Sequence, residues 1–232
     1  MRPEGQRLRD TPHEGARHRE GADVAVPEND QLCHELLLRL AGRLPDRFLW
    51  RYRDWLAGGA ADVLARSLPA TLLRERIPLD DADHRLLAEA LLPLGADRSV
   101  VDAIPPADRP AADHAFSPGS ATDGRTDSEL LVLGATLRGR PGVGEVRSSW
   151  RRDDGGRAKR VVLVTASADV IALTGEIQRV LRALGDAEPC VEVIPSELDP
   201  TPYHRAALAE SVLVCTGADE LVGHRGFSGA NP

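Results

Sequence analysis

The densest group of charged side chains in the sequence lies near residue 150. Six cations fall within 14 residues, interrupted only by an acidic pair: Arg147, Arg151, Arg152, Arg157, Lys159 and Arg160. On a β-ribbon such side chains could bind phosphate groups. The positive potential of the cluster is local, so the negative net charge of the whole chain does not exclude this binding. A solvated hairpin tip is the simpler explanation of the pattern, since Asp153 and Asp154 can neutralise the neighbouring arginines. Both interpretations stay open; in the first, the phosphate contacts are Arg147, Arg151, Arg152, Arg157 and Lys159.

An aromatic cluster lies in the segment DRFLWRYRDWLAGG. Four aromatic residues fall within eight positions: Phe48, Trp50, Tyr52 and Trp55. Three of them share one helical face with neighbouring leucines and are most simply core, whereas Trp50 points about 160° away from the centre of that face. An exposed Trp near Arg is typical of a protein interface, which predicts contacts at Trp50, Arg47 and Asp54. The alternative is that Trp50 packs under another helix or against the second half of the chain.

No set of residues predicts catalysis or a bound cofactor. Cys33 and His34 are neighbours, but adjacent residues on a helix point about 100° apart, so they do not form a nucleophile–base pair. The glycines of RGRPGVGEV precede a strand rather than a helix, which is the wrong context for a dinucleotide. We therefore predict no catalytic and no cofactor-binding residues. An enzyme remains an alternative only if a group such as His204 with Asp199 or Glu197 lines a pocket.

Metal binding is not predicted either. The acidic run Asp80, Asp81 and Asp83 precedes His84, but acidic residues are favoured at a helix N-terminus, where they cap free N–H groups. No second cluster has the spacing that would complete a metal site. The three cysteines are far apart in the sequence, which excludes a disulfide framework and a cysteine-rich zinc site and fits a reducing cytosol.

The composition is that of an ordinary soluble protein. Of 232 residues 42% are hydrophobic and 28% are charged, and 29 basic residues against 36 acidic ones give a net charge of −7. A globally basic nucleic-acid binder is therefore not expected. Lys159 is the only lysine, so the abundance of arginine reflects a coding bias rather than a binding preference. No apolar run approaches a membrane span and the N-terminus has no secretory core, so we expect a cytoplasmic protein without a membrane partner.

The chain divides into two patterned blocks separated and flanked by segments rich in charge, Gly and Pro. We predict a disordered tail at 1–29, a helical bundle at 30–104, a flexible linker at 105–127, an α/β domain at 128–216 and a loose C-terminal tail at 217–232. In the first block, helical spacing of apolar residues predicts four short helices, one capped by Asp80 and one broken near Pro69.

The second block predicts a different fold, in the order αββαβα. A helix capped by Ser128 leads into a basic antiparallel hairpin, whose second strand is the buried run VVLV. An amphipathic helix then crosses to a parallel strand at Cys190–Ile194, and residues 200–214 form a last helix. The predicted fold class is α+β, with a small helical bundle, a flexible linker and a three-stranded mixed sheet covered by helices.

Residues 137–214 resemble the C-terminal domain of bacterial enhanced-serine-sensitivity proteins. The resemblance lies in LRGRPGVGEVRSSWRR, in the strand RVVLVTA, in the amphipathic helix after it, and in CVEVIPSELDPTPYHRAALAESVLV. It implies a small α/β accessory domain, and the family has no established catalytic residues to carry over. The helical block is similar in pattern and size to small helical adaptor domains of bacterial signalling and defence systems.

These observations predict a non-catalytic protein of a bacterial cytosol that acts as an adaptor or regulatory accessory through protein–protein contacts. Nucleic-acid or phosphoanion binding through the hairpin at 147–160 is the first alternative, and an enzyme without a recognisable motif is the second. The sequence does not identify the partner and does not decide the oligomeric state.

Overall fold

The computed structural model describes residues 28–107, 114–119, 127–152 and 158–218. The described part contains eight helices and five strands, in the order α1 (Glu28–Arg39), α2 (Asp46–Ala57), α3 (Ala61–Arg74), α4 (Asp81–Leu91), α5 (Arg98–Asp102), β1 (Ala115–Ser117), α6 (Ser128–Leu137), β2 (Val143–Arg152), β3 (Ala158–Ala166), α7 (Val170–Ala183), β4 (Cys190–Pro195), α8 (Pro202–Ala209) and β5 (Val212–Thr216). The fold is therefore mixed helix and sheet, as the sequence predicts.

The first five helices form around a core of leucines. Helix α4 is capped as expected, because the Asp80 carboxylate accepts a hydrogen bond from the backbone N–H of Asp83 at 2.8 Å. Helix α2 ends at Ala57 and is followed by Gly58 at its C-cap, as its glycine pair predicts. The expected break near Pro69 is wrong, because α3 continues through this buried proline. A proline removes one hydrogen bond from a helix, and packing in the core compensates for that loss here.

The sheet has five strands in the described residues, so the prediction of three strands is wrong. The predicted hairpin is present, since β2 and β3 pair antiparallel, and β3 pairs parallel with β4. Two further strands pair antiparallel with β2: β1 lies against its C-terminal end and β5 against Glu145–Ser148. Strand β1 comes from the predicted linker, and β5 comes from the second half of the predicted last helix. In both segments pairing with β2 satisfies backbone groups that local sequence does not commit to a strand.

Helices cover both faces of the sheet. On one face, α6 and α7 bury an apolar cluster with strands β2, β3 and β4 that includes Leu133, Ile177 and Val162. On the other face, α8 places Ala207 against Val161 and Leu163. The alternation along each strand therefore sends apolar side chains to both faces, which is why VVLV is a continuous apolar run.

Helices α1 and α2 lie against the sheet and α7. The imidazole Nε2 of His34 donates to the carbonyl of Val193 in β4 at 2.8 Å, and the amide of Gln178 in α7 donates to the carbonyl of Trp50 at 3.3 Å. Ile171 of α7 belongs to the core of the helical block. The division into two domains joined by a flexible linker is not confirmed.

Several predicted boundaries lie outside the described residues. Residues 1–27 of the predicted tail are outside, while Glu28 and Asn29 begin α1. Most of the predicted linker is also outside, apart from 105–107, the segment around β1 and Asp127. Of the predicted C-terminal tail only residues 217 and 218 are described. Where the structure describes the chain, no helix has the length and apolar character needed to cross a membrane.

Candidate interaction surface

The cations of the predicted hairpin are mostly engaged within the protein. Arg147 donates to the hydroxyl of Ser211 at 2.8 Å and to the carboxylate of Glu145 at 3.0 Å. Lys159 donates to Asp186 at 2.6 Å. Neighbouring carboxylates partly cancel the electrostatic potential of these cations. The hairpin therefore attracts a phosphate less strongly than its sequence indicates.

Arg151 is the most deeply engaged of the predicted phosphate contacts. Its guanidinium donates to the hydroxyl of Tyr203 at 3.0 Å and to the carboxylate of Asp46 at 2.5 Å, and it is largely buried. Burial by itself lowers the pKa of Arg151, but the neighbouring acidic groups outweigh it and raise the pKa above its usual value. Arg152 is exposed, and Arg157 lies outside the described residues.

Trp50, Arg47 and Asp54 do not form one open patch. Trp50 is half-buried, and the guanidinium of Arg182 in α7 lies 4.6 Å from the centre of its ring. Arg47 pairs with Glu75 at 2.9 Å and stacks on the ring of Phe48. The geometry therefore favours the alternative in which Trp50 packs against the second block.

A buried ionic cluster, which the sequence analysis did not predict, lies between α2, β4 and α8. Arg53 donates to both oxygens of Glu192, at 2.8 and 2.5 Å, and to the carbonyl of Leu37 at 3.3 Å. His204 places Nε2 3.0 Å from the same carboxylate, and its Nδ1 lies 2.8 Å from the hydroxyl of Thr201. Glu192 thus receives hydrogen bonds from two elements that are far apart in sequence.

This cluster joins elements of the fold and is not accessible to a substrate. Arg53, Glu192 and His204 are at most 2% exposed. Burial by itself raises the pKa of Glu192, but the charge of Arg53 and the hydrogen bonds to the carboxylate outweigh it and bring the pKa to about 2. The arrangement that the enzyme alternative would need, His204 with Asp199 or Glu197, is not formed, because the ring nitrogens of His204 contact Thr201 and Glu192. In the described part of the chain, no group of three or more His, Cys, Asp or Glu side chains could hold a metal ion.

A cleft of about 370 Å³ lies between α1 and the loops that follow β3 and β4. Ligands of α/β proteins often bind at the carboxyl ends of parallel strands, which is where this cleft is found. Its charged walls are carboxylates, without an Arg or Lys among the described lining residues: Glu28, Glu35, Asp169 and Glu197. The cleft therefore repels a phosphate.

The largest exposed apolar residues lie together on α6 and β5. Leu131 is 60% exposed, Leu213 is 52% exposed and Val212 is 40% exposed. Between the two elements runs an open cleft of about 490 Å³ with a mainly apolar lining. We call this area the α6–β5 surface and define it by the apolar residues Leu130, Leu131, Ala135, Leu213 and Val214 that line the cleft.

Local sequence positions this surface. The carboxylate of Asp127, rather than the predicted Ser128, caps α6 by accepting from the N–H of Leu130 at 3.2 Å. Gly134 faces Val214 of β5, and a Cβ atom added there would lie 3.7 Å from the Val214 side chain, an ordinary van der Waals distance. Only one side of α6 is buried, with Leu133, Gly134 and Leu137, although the helix is apolar nearly all round.

Helix α6 is apolar but only one of its sides is buried, which makes this surface the candidate interaction site. Helices that are apolar on every side are normally buried, and contiguous apolar patches on a protein surface mark interaction sites. The signal was present in the segment SELLVLGATL, which has no continuous polar face. The amino-acid composition of α6 does not show which face of the helix is exposed to solvent.

Comparisons with protein-family models, curated proteins and solved structures found no match. The candidate site therefore rests on the geometry of this chain.

Proposed function

We propose that this protein is a non-catalytic interaction protein, an adaptor or regulatory accessory of a bacterial cytosolic system, and that it binds its protein partner through the α6–β5 surface. The observation that carries the proposal is the exposure of Leu131 and Leu213, which both line one apolar cleft. Burying such side chains against a partner removes apolar area from water, which is the main driving force for association.

This proposal places the contact away from the predicted interface at Trp50. Trp50 has an internal partner in Arg182, whereas Leu131 extends into solvent. The resemblance to the C-terminal domain of enhanced-serine-sensitivity proteins, which implies an accessory domain, is in keeping with a binding role. The organisation into a helical domain at 30–104 and an α/β domain at 128–216 also belongs to the proposal, with buried contacts between the two.

Nucleic-acid or phosphoanion binding is a weaker proposal. Arg147, Arg151 and Lys159 each donate to an internal oxygen, and only Arg152 of the described candidates is exposed. An enzyme is weaker still, because the buried cluster around Glu192 is closed to solvent. Binding of a protein partner through the α6–β5 surface requires neither free cations on the hairpin nor a solvent-accessible catalytic group.

The test is capture of a partner from the native host by tagged protein, followed by mass spectrometry. The variant Leu131→Glu with Leu213→Glu places charges on the α6–β5 surface, and the matched control Leu184→Glu changes an exposed leucine at the C-cap of α7. We expect one protein to be retained stoichiometrically by the wild type and by the control, and to be lost with the double variant.

A parallel arm uses Trp50→Ala, with circular dichroism to verify that each variant is folded. Retention of the partner by the double variant would contradict the proposal. Loss with Trp50→Ala alone would return the interface to α2.

A further inference from the structure

We propose that the partner on the α6–β5 surface is a second copy of this chain, with the two α6 helices packed antiparallel about a two-fold axis. This inference rests on the proposed function, since it names the partner of the same surface. It follows from the size and charge of the side chains along α6, which complement themselves when the helix is reversed.

The side chains along the outer side of α6 fit this arrangement by size. Ser128, Leu131, Ala135 and Arg138 are exposed and recur at the spacing of one helical face. If the axis crosses the helix at Leu133, Leu131 of one copy lies opposite Ala135 of the other. A large side chain then meets a small one twice, which is the complementarity that close helix packing needs. A parallel pair in register would instead place Leu131 against Leu131.

The charges along α6 point to the same orientation. At the N-terminal end, Asp127 and Glu129 share the single cation Arg160, which leaves one net negative charge. At the other end Arg138 is exposed and has no ion-pair partner within the described residues. An antiparallel pair brings Arg138 of each copy to the acidic end of the other, and it also aligns the helix dipoles favourably. A parallel pair brings like charges together.

Strand β5 extends the contact beyond the helices. Leu213 and Val214 line the same cleft as Leu131 and Ala135, so a copy that approaches α6 also covers β5. Helix α6 has 10 residues and is about 15 Å long, so the helix pair is short compared with a standard interface. We therefore expect a weak, reversible dimer, which depends on each of the few apolar contacts.

The experiment is sedimentation equilibrium of the purified full chain over a range of concentrations. The wild type is expected to show a reversible monomer–dimer equilibrium. Leu131→Ala removes the large side chain and Ala135→Leu fills the space opposite it, so each single change should raise the dissociation constant at least tenfold. The double variant Leu131→Ala with Ala135→Leu exchanges the two positions, and in an antiparallel pair it should restore dimerisation.

Two further variants complete the design. Arg138→Glu should weaken the dimer because it places two acidic ends together, and Leu184→Ala, at the exposed C-cap leucine of α7, should leave the dissociation constant unchanged. Leucine and alanine both favour helices, so these exposed changes are not expected to unfold the chain. A dimer in which the exchange variant stays as weak as the single variants would overturn the antiparallel pairing.

Failure of this inference can be separated from failure of the proposed function. A wild type that stays monomeric, while capture of a different protein is lost with Leu131→Glu and Leu213→Glu, removes the second copy as partner and keeps the interaction surface. A monomer whose captured proteins do not depend on these leucines removes both. Dimerisation that is indifferent to all variants of α6 places the dimer contact elsewhere and overturns the inference.

Discussion

His34 shows how one side chain joins two parts of the chain. Its Nε2 donates to a backbone carbonyl of β4, which would otherwise be a buried acceptor at the edge of the sheet. Burial lowers the pKa of His34 from 6.5 to about 4, with Arg53 and His204 acting in the same direction and the carbonyl of Val193 and the carboxylate of Glu192 opposing them. The ring is therefore neutral in the folded protein at neutral pH, as its role as a donor through Nε2 allows.

The pKa of His34 predicts how stability depends on pH. Between about pH 6.5 and pH 4 the unfolded chain binds a proton at His34 and the folded chain does not, so the free energy of unfolding falls as the pH falls through this range. At about 1.4 kcal/mol per pKa unit, the loss attributable to His34 is about 3 kcal/mol. Chemical denaturation at several pH values should show that His34→Gln, which can still donate to the carbonyl, removes most of this slope.

The control for this prediction is His84→Gln. His84 also places Nε2 near a backbone carbonyl, that of Val101 at 3.1 Å, but it is only partly buried. A slope that disappears equally in both variants would show that His34 is not its source. The low pKa of Glu192, about 2, acts mainly at lower pH, between about pH 4.5 and pH 2, where protonation also costs stability.

The burial of a single side chain could be predicted where it follows from the helical spacing of apolar residues. Cys33 extends the leucine face of α1, and it is fully buried with a pKa that burial raises to about 12. Glu192 was missed, although a carboxylate within the apolar run CVEVI must have a partner if it is buried. The identity of that partner, Arg53, depends on a contact across 139 positions, which periodicity does not report.

At the scale of elements, the amphipathic helices and the Asp80 cap of α4 were predictable, whereas the cap of α6 and the last strand were not. The segment PYHRAALAESVLVC has the composition of a helix with an apolar side, and α8 does form at its start. The helix ends at Ala209 because the next residues pair with β2 as β5. Tertiary pairing overrides local propensity in this segment, and a single sequence does not show that β2 has an unpaired side.

The turn between α1 and α2 supports a prediction about close packing. Gly42 has a φ of 78°, and a Cβ atom there would lie 2.5 Å from the ring of Tyr203 and 2.7 Å from His114. Gly59 has a φ of 74° but nothing within 4 Å of such an atom. Both Gly→Ala variants therefore meet the same backbone strain, and Gly42→Ala alone also overpacks a contact with α8, which costs about 1–3 kcal/mol.

Urea denaturation of the two variants measures the difference. We expect Gly42→Ala to be less stable than Gly59→Ala by that amount, because the strain common to both cancels in the comparison. Equal stabilities would show that the ring of Tyr203 moves aside at no cost, or that α8 does not lie against this turn.

At the scale of the whole molecule, the helical block and the sheet share buried polar contacts. These are the pairs Arg53 with Glu192, His34 with Val193, Trp50 with Gln178 and Arg151 with Asp46. The sequence predicted both blocks from their internal periodicity, but it could not show their relation because every one of these contacts is long-range. Of the two ion pairs, the fully buried pair of Arg53 with Glu192 is the one whose loss is most costly, since removing one partner leaves the other charge buried.

A cleavable chain tests whether these contacts hold the two parts together. A protease recognition sequence placed within residues 121–126 allows the folded protein to be cut between β1 and α6. We expect the two fragments to elute together in size-exclusion chromatography, because α1 and α2 remain bound to β4 and α7 and β1 remains paired with β2. Semi-independent domains would separate after cleavage.

The same cleaved protein isolates the contribution of the buried ion pair. Glu192→Ala leaves Arg53 buried without its carboxylate, at a cost of about 3–5 kcal/mol, which corresponds to a loss of fragment affinity of roughly a hundredfold or more. Glu188→Ala removes an exposed carboxylate just before the same strand and should leave the fragments associated. Fragments that separate equally with both variants would indicate a general weakening of β4. Fragments that stay together with Glu192→Ala would show that the apolar contacts of α2 and α7 are sufficient without the ion pair.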